Sequence, residues 1–94
     1  MEDQVFFAED EYNLRKSSKE KELHKLAKKY LPGGVIGMSY LPEQMILIPD
    51  SGNGSKIYDV SGNEYIDYHC GSGPIILGHN SPALKEAVKK QIEK

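Results

Sequence analysis

Apolar residues recur along this chain in two helical stripes, with a stretch of alternation between them. Leu23, Leu26, Ala27 and Tyr30 fall at the spacing of one helical face and predict a helix from about Glu9 to Tyr30. Lysines crowd its last turn, where they complement the helix dipole. Pro32-Gly33-Gly34 then ends it. The upstream half, Tyr12 to Glu22, has a weaker stripe, and its charged patch "RKSSKEKE" reads as a solvated helix face. Leu84, Ala87, Val88 and Ile92 form the second stripe, on a helix running from about Pro82 to the end of the chain. Ser81 suits its N-cap and Pro82 its first position.

Between the stripes the period changes to two. "MILIP", "SKIYDV" and "EYIDYH" read as three strands of a small antiparallel sheet, rich in β-branched and aromatic residues. Ser61-Gly62-Asn63 is the turn between the last two, and Gly52-Asn53-Gly54 the turn before the second. Ile57 and Asp59 alternate with Tyr58 and Val60, as do Tyr65 and Asp67 with Ile66 and Tyr68. The layout is therefore an N-terminal arm and helix over 1–30, a Gly/Pro loop over 31–45, the sheet over 46–70, and a Gly-Pro bend with a helix over 71–94. Met1 to Ala8 is a loose arm that Phe6 and Phe7 can anchor to another surface. The loop residues Val35, Ile36, Met38, Tyr40 and Leu41 are apolar enough to pack on something. The fold class is α+β: helix, three-stranded sheet, helix. Two short helices cannot cover both faces of such a sheet, so part of its apolar surface expects a partner, in trans or in a longer chain.

Size and charge narrow the function classes. A chain of 94 residues makes one small domain, and such a domain buries only about two thirds of its unfolded surface. Twelve basic and fourteen acidic residues leave a formal charge of -2, which offers no nucleic-acid groove and no attraction to an anionic membrane. The longest apolar run, "PIILG", is too short to span a bilayer. The N-terminus "MEDQVFFAEDEY" is acidic and lacks the apolar centre of a signal peptide. These features point to a soluble, cytoplasmic protein. The single cysteine, Cys70, rules out a disulfide within the chain and a multi-cysteine zinc site. It reads as a small, partly buried hydrophobe.

Candidate chemistry gathers in "YHCGSGPIILGHNSP", Tyr68 to Pro82. Gly71-Ser72-Gly73 offers backbone donors and a hydroxyl, but Pro74 follows at once and the helix starts only after Ser81. That is not the spacing of a phosphate-binding glycine loop. His69 and Cys70, read as neighbours in a strand, point to opposite faces, and His24, His69 and His79 have no ligand spacing, so no metal site is expected. "CGSGP" is not a nucleophile elbow. His79 reads as a buried histidine bonded to backbone near the helix start, and Asp59 and Asp67 as solvated or turn-bonded groups flanking the hairpin. The glycines are best read as room for a ligand or another backbone to come close. No residue is assigned a catalytic role.

"LPGGV" followed by "GSKIYDVSGNEYIDYHCGSGPIILGHNSPALKEAV" resembles the N-terminal part of class III pyridoxal-phosphate-dependent aminotransferases, and within them the glutamate-1-semialdehyde aminomutase branch. The match covers most of Leu31 to Lys94 in the family's order and spacing. The resemblance implies the N-terminal part of a fold-type I transferase, an enzyme of amino-group transfer on a small amino or oxo acid. It implies pyridoxal 5'-phosphate in the full-length enzyme and none on this segment alone. It also implies a homodimer with the active site at its interface, and a cofactor domain, absent here, that carries the Schiff-base lysine. Gly71, Ser72, Gly73 and Pro74 would then lie on the substrate side, with Gly33, Gly34 and Val35 nearby. Ser72 stands where the aminomutase branch has tryptophan, the basic residue expected after "GGV" is missing from "IGMSYLP", and Ser81 replaces a histidine. The first two departures favour a broader aminotransferase-like enzyme. The alternative from the residues alone is a non-catalytic interaction or dimerisation module.

Overall fold

The computed structural model describes residues 14–36 and 42–94, without the side chain of Gln44. The anchoring arm with Phe6 and Phe7, the start of the expected first helix, and the loop residues Met38, Tyr40 and Leu41 lie outside these. The chain divides into two units, Met1–Ile48 with Val60–Asn63, and Pro49–Asp59 with Glu64–Lys94.

In the first unit, helix α1 spans Ser18–Tyr30. Leu14 and Arg15 are helical too, so the expected helix is interrupted at Lys16 and Ser17: Ser17 is extended and caps α1, its hydroxyl accepting from the Glu20 backbone N–H at 3.2 Å. Ser-x-x-Glu is the sequence of a capping box, in which the glutamate would reach back to the Ser17 N–H. Here Ser17 N–H donates instead to Ser61 Oγ at 2.9 Å, which leaves the Glu20 carboxylate for other work. At the far end Leu31 N–H closes on Ala27 O at 2.8 Å, and a 3-10 turn, Pro32–Gly34, carries the chain away.

The charged patch is not a solvated face. Glu20 is 2% exposed. Its Oε1 accepts from Lys16 Nζ at 2.5 Å and from Ile48 N–H at 3.1 Å, and its Oε2 accepts from the Ser61 hydroxyl. Lys16, nearly as buried, also donates to Ile46 O at 2.7 Å. His24 is one turn further along the same stripe and 7% exposed. The expected apolar stripe is the less covered one, with Leu26 and Tyr30 exposed. Helix α1 thus turns a polar line, Lys16-Glu20-His24, inward within this unit.

This arrangement displaces the first expected strand. Glu43–Met45 forms a 3-10 turn and residues 46–48 are irregular. Their backbone groups are answered by side chains and by Val60 N–H, which donates to Ile48 O at 3.0 Å. Strand β1 is Pro49–Asn53, so Gly52 and Asn53, expected in a turn, lie in the ladder. In the second unit it pairs antiparallel with β2, Lys56–Asp59, which pairs antiparallel with β3, Glu64–Ile66. The sheet order is β1-β2-β3, with a bulge between Pro49 and Ser51. Asn53 faces Lys56, so the connection is two residues, and Gly54 at φ +57° gives the left-handed backbone such a turn requires.

The sheet carries a polar interior point as well. Asp59, expected at a solvated edge, is 3% exposed and accepts from Tyr65 Oη at 2.9 Å. Helix α2 spans Pro82–Ile92. Ser81 occupies its N-cap position, but its hydroxyl makes no cap bond; its carbonyl accepts from Lys85 N–H at 3.0 Å. The stripe of α2 is uncovered, with Leu84, Val88 and Ile92 exposed. Among the described residues no apolar side chain is fully buried.

Glu20→Ala would leave the Lys16 ammonium buried without a counter-ion, along with an unanswered Ile48 N–H. Breaking one side of a buried pair costs about 3 kcal/mol. Urea denaturation followed by far-UV circular dichroism is expected to show a loss of that order, or no folded baseline. A midpoint equal to wild type would remove Glu20 from this role.

Candidate functional site

Strand β3 stops at Ile66 because of the next side chain. Asp67 Oδ1 accepts from His69 N–H at 2.8 Å and from Cys70 N–H at 2.9 Å, and so pulls the chain out of the ladder. The strand expected to run to His69 is therefore three residues shorter. His69 and Cys70 are not strand neighbours on opposite faces but part of a turn. Cys70–Ser72 is a 3-10 turn, closed by Ser72 N–H to His69 O at 2.9 Å and Gly73 N–H to Cys70 O at 3.1 Å.

The backbone of this turn is unusual. Cys70, Gly71, Ser72 and Gly73 all have positive φ, at +52°, +61°, +65° and +114°. For Cys70 and Ser72 the left-handed region costs about 1–2 kcal/mol each. Such outliers persist only where surrounding contacts over-determine them, and they gather at functional sites. The N–H groups of Cys70, Ser72 and Gly73 are used inside the turn. What it presents outward is mainly shape, with one polar pair: Ser72 Oγ lies 3.0 Å from His69 Nε2, and both residues are exposed.

The other end of the bend is tied back. His79 N–H donates to Gly54 O at 2.8 Å and Gly54 N–H to His79 O at 3.0 Å, an isolated antiparallel bridge. The His79 imidazole is not bonded to backbone near the helix start, as its position suggested. Its Nε2 donates to Asp67 Oδ2 at 2.6 Å, with both side chains largely covered. The Cys70 N–H bond, then the His79 bond, hold the Asp67 carboxyl below the usual aspartate range.

The candidate residues divide by unit. Gly71, Ser72, Gly73 and Pro74 are consecutive in this turn, whereas Gly33, Gly34 and Val35 belong to the first unit. Gly34 is buried, and a Cβ there would sit 2.9 Å from Lys28 Cγ and 3.5 Å from His24 Nε2, so the loop lies directly on α1. Near it Lys28 Nζ pairs with Glu43 Oε2 at 2.6 Å, and that bond lowers the Glu43 carboxyl. Sequence reasoning missed Lys16, Glu20, His24 and Asp59 as interior groups. A Ser-x-x-Glu start to α1 was the one available signal for Glu20. Among the described residues no three His, Cys, Asp or Glu side chains converge on a metal position, and no helix is long and apolar enough to cross a membrane.

Among the described residues, apolar side chains of the helices, of β3 and of the glycine-proline bend are exposed, Leu26, Ile66, Ile76 and Leu84 among them. A family model described as Aminotransferase class-III matches residues 39–94, more than half of the chain. The chain belongs to the class-III aminotransferase family. It is 48% identical over 83 residues to a glutamate-1-semialdehyde 2,1-aminomutase of Thermodesulfovibrio yellowstonii, covering 84% of this chain and 19% of that protein. It is 38% identical over 82 residues to a 3-aminobutyryl-CoA aminotransferase of Cloacimonas acidaminovorans, covering 83% and 20%. The crystal structure of an omega-transaminase from Sphaerobacter thermophilus superposes with a TM-score of 0.74 at 28% identity, over 87% of this chain and 18% of that one. The chain thus spans about one fifth of the length of the curated relatives it matches.

The depressed Asp67 carboxyl has a sign. A group whose pKa is lowered on folding adds stability above its unfolded value and loses it as pH falls through the folded value. Urea midpoints of the wild type and Asp67→Asn, compared from about pH 6 down to about pH 3, are expected to differ most near neutrality and to converge in acid. A constant gap would dissociate the Asp67 charge from the fold.

Proposed function

We propose that this chain is the N-terminal portion of a cytoplasmic, pyridoxal-phosphate-dependent aminotransferase or aminomutase acting on a small amino or oxo acid. In this reading Gly71, Ser72, Gly73 and Pro74 form part of the substrate-side wall, and Gly33, Gly34 and Val35 are further substrate-side candidates. The exposed apolar faces meet the cofactor-binding remainder and the second subunit of a homodimer. The observation that carries the reading is a family-matched segment with no apolar core of its own among the described residues: Leu84, Val88 and Ile92 on α2 and Ile76 and Leu77 in the bend are all exposed. The boundaries of arm, loop, sheet and bend at 30, 45 and 70 belong to the same proposal.

The residues of the bend do not fit the cofactor itself. Between Lys56 and Lys85 the sequence has neither lysine nor arginine. It therefore offers no amine for a Schiff base and no cation for a phosphate, and no step of the cofactor's chemistry is assigned to it. Its part is to bound the space in which a substrate sits and to exclude water from one side.

The same exposed faces also suit a self-associating module without catalysis. A stable, dispersed monomer by sedimentation at low concentration would count against that second reading.

The first reading is tested by grafting this segment in place of the equivalent segment of an omega-transaminase. The chimera is expected to keep the visible absorbance of bound pyridoxal phosphate. Ser72→Trp in it should change KM for a small amino acid by about tenfold, with the absorbance unaltered. An unchanged KM would remove Ser72 from the substrate side, and turnover by the 94-residue chain with added cofactor would overturn the dependence on a remainder.

A further inference from the structure

We infer that Gly52, His79 and Asp67 form a clamp that holds the Cys70–Gly73 turn in its left-handed conformation, making Asp67 and His79 positioning residues for the substrate-side wall. The consequence for the wall rests on the function proposed above; the clamp does not.

Three contacts converge on His79 from different directions. Its backbone is fixed to Gly54 by the two bonds of the isolated bridge. Its ring lies against the Gly52 backbone: a Cβ built on Gly52 would be 2.8 Å from His79 Cγ, 2.9 Å from Cβ and 3.0 Å from Nδ1. No real Cβ tolerates such approaches, and the atoms met are the near end of the side chain and cannot swing away. Gly52 therefore makes room for the imidazole over β1. The third contact is the 2.6 Å bond from Nε2 to Asp67 Oδ2. With Asp67 ionised, that bond requires the proton on Nε2.

The other oxygen of Asp67 faces the turn. Oδ1 takes the N–H groups of His69 and Cys70, and the Cys70 thiol lies 3.6 Å from Asp67 O. A rotation of the carboxylate about χ2 would break both sets of bonds together. His79 prevents it, because its bridge to Gly54 and the seat of its ring on Gly52 of β1 fix where Nε2 is. Sheet position thus passes through one imidazole and one carboxylate to the backbone N–H of Cys70, the first left-handed residue. Without that tie, Cys70 and Ser72 have the ordinary preference of L residues for negative φ, and the turn relaxes.

Cys70 is the only cysteine, so its alkylation by iodoacetamide on the 94-residue chain reads the turn directly. Relaxation of a local tie exposes such a group in proportion to the open population. His79→Ala and Gly52→Ala, which touch the clamp from its two ends, are each expected to raise the alkylation rate by about tenfold. His79→Gln keeps a donor and is expected to stay within about twofold of wild type. Wild-type rates in both alanine variants, or His79→Gln as fast as His79→Ala, would overturn the clamp. Should the alanine variants lose their sheet signal, NMR of the wild type decides. A slowly exchanging His79 Nε2 proton supports the bond, and an Nδ1-protonated ring overturns it. In the cofactor-loaded chimera, His79→Ala should raise KM by about tenfold with His79→Gln restoring it. Fast alkylation with unmoved KM would keep the clamp and reject its effect on substrate; the Ser72→Trp result bears on the substrate-side reading alone.

Discussion

One buried carboxylate organises the first unit. Glu20 accepts from Lys16, from the backbone of Ile48 and from Ser61, three stretches of chain far apart in sequence. A charge leaves water only if its partners replace the lost hydration, and a paired, fully bonded carboxylate meets that condition where a lone one does not. The arrangement then constrains its neighbours. Ile46 and Ile48 give their carbonyl and N–H to Lys16 and Glu20, so a run that looks like a strand does not join the ladder, and β1 begins only at Pro49.

The second unit follows the same logic on a smaller scale. Asp67 ends β3, starts the turn and receives His79, so one side chain decides where the sheet stops and how the bend is held. Among the described residues, the fully covered side chains are polar: Glu20, His24 and Asp59. Ile66, Tyr68, Ile76 and Leu77, by contrast, stay open. Among the described residues of this chain, which spans about a fifth of its relatives, the buried side chains are polar and many of the large apolar ones are exposed.

Several elements are legible in the sequence. The end of α1 at Tyr30 follows from Pro32 and the glycines. The pairing of β2 with β3 follows from alternation about Ser61-Gly62-Asn63, and the start of α2 follows from Pro82. The motif run from Gly54 to Pro82 was enough to place the chain in its family. Less legible was every feature in which a polar side chain competes with backbone. "RKSSKEKE" has the composition of a solvated surface, and only the position of Ser61 and Ile48 makes Glu20 interior. "EYIDYH" alternates as a strand should, yet Asp67 bonds forward and cuts it short. "MILIP" is apolar enough for a strand, but its hydrogen bonds go elsewhere.

Proline and glycine stops, the start of α2 and the turn at Ser61-Gly62-Asn63 rest on local chemistry and are readable along the chain, since each depends on residues a few positions apart. Tertiary structure alone decided which face of α1 is covered, where β1 begins, and that the glycine-proline bend carries four consecutive left-handed residues held by Asp67 and His79. Those outcomes depend on which buried donor meets which acceptor across stretches of chain that periodicity does not relate. The bend that looked like room for a ligand is also a strained turn, and its strain is maintained from β1 through a histidine twelve residues beyond Asp67.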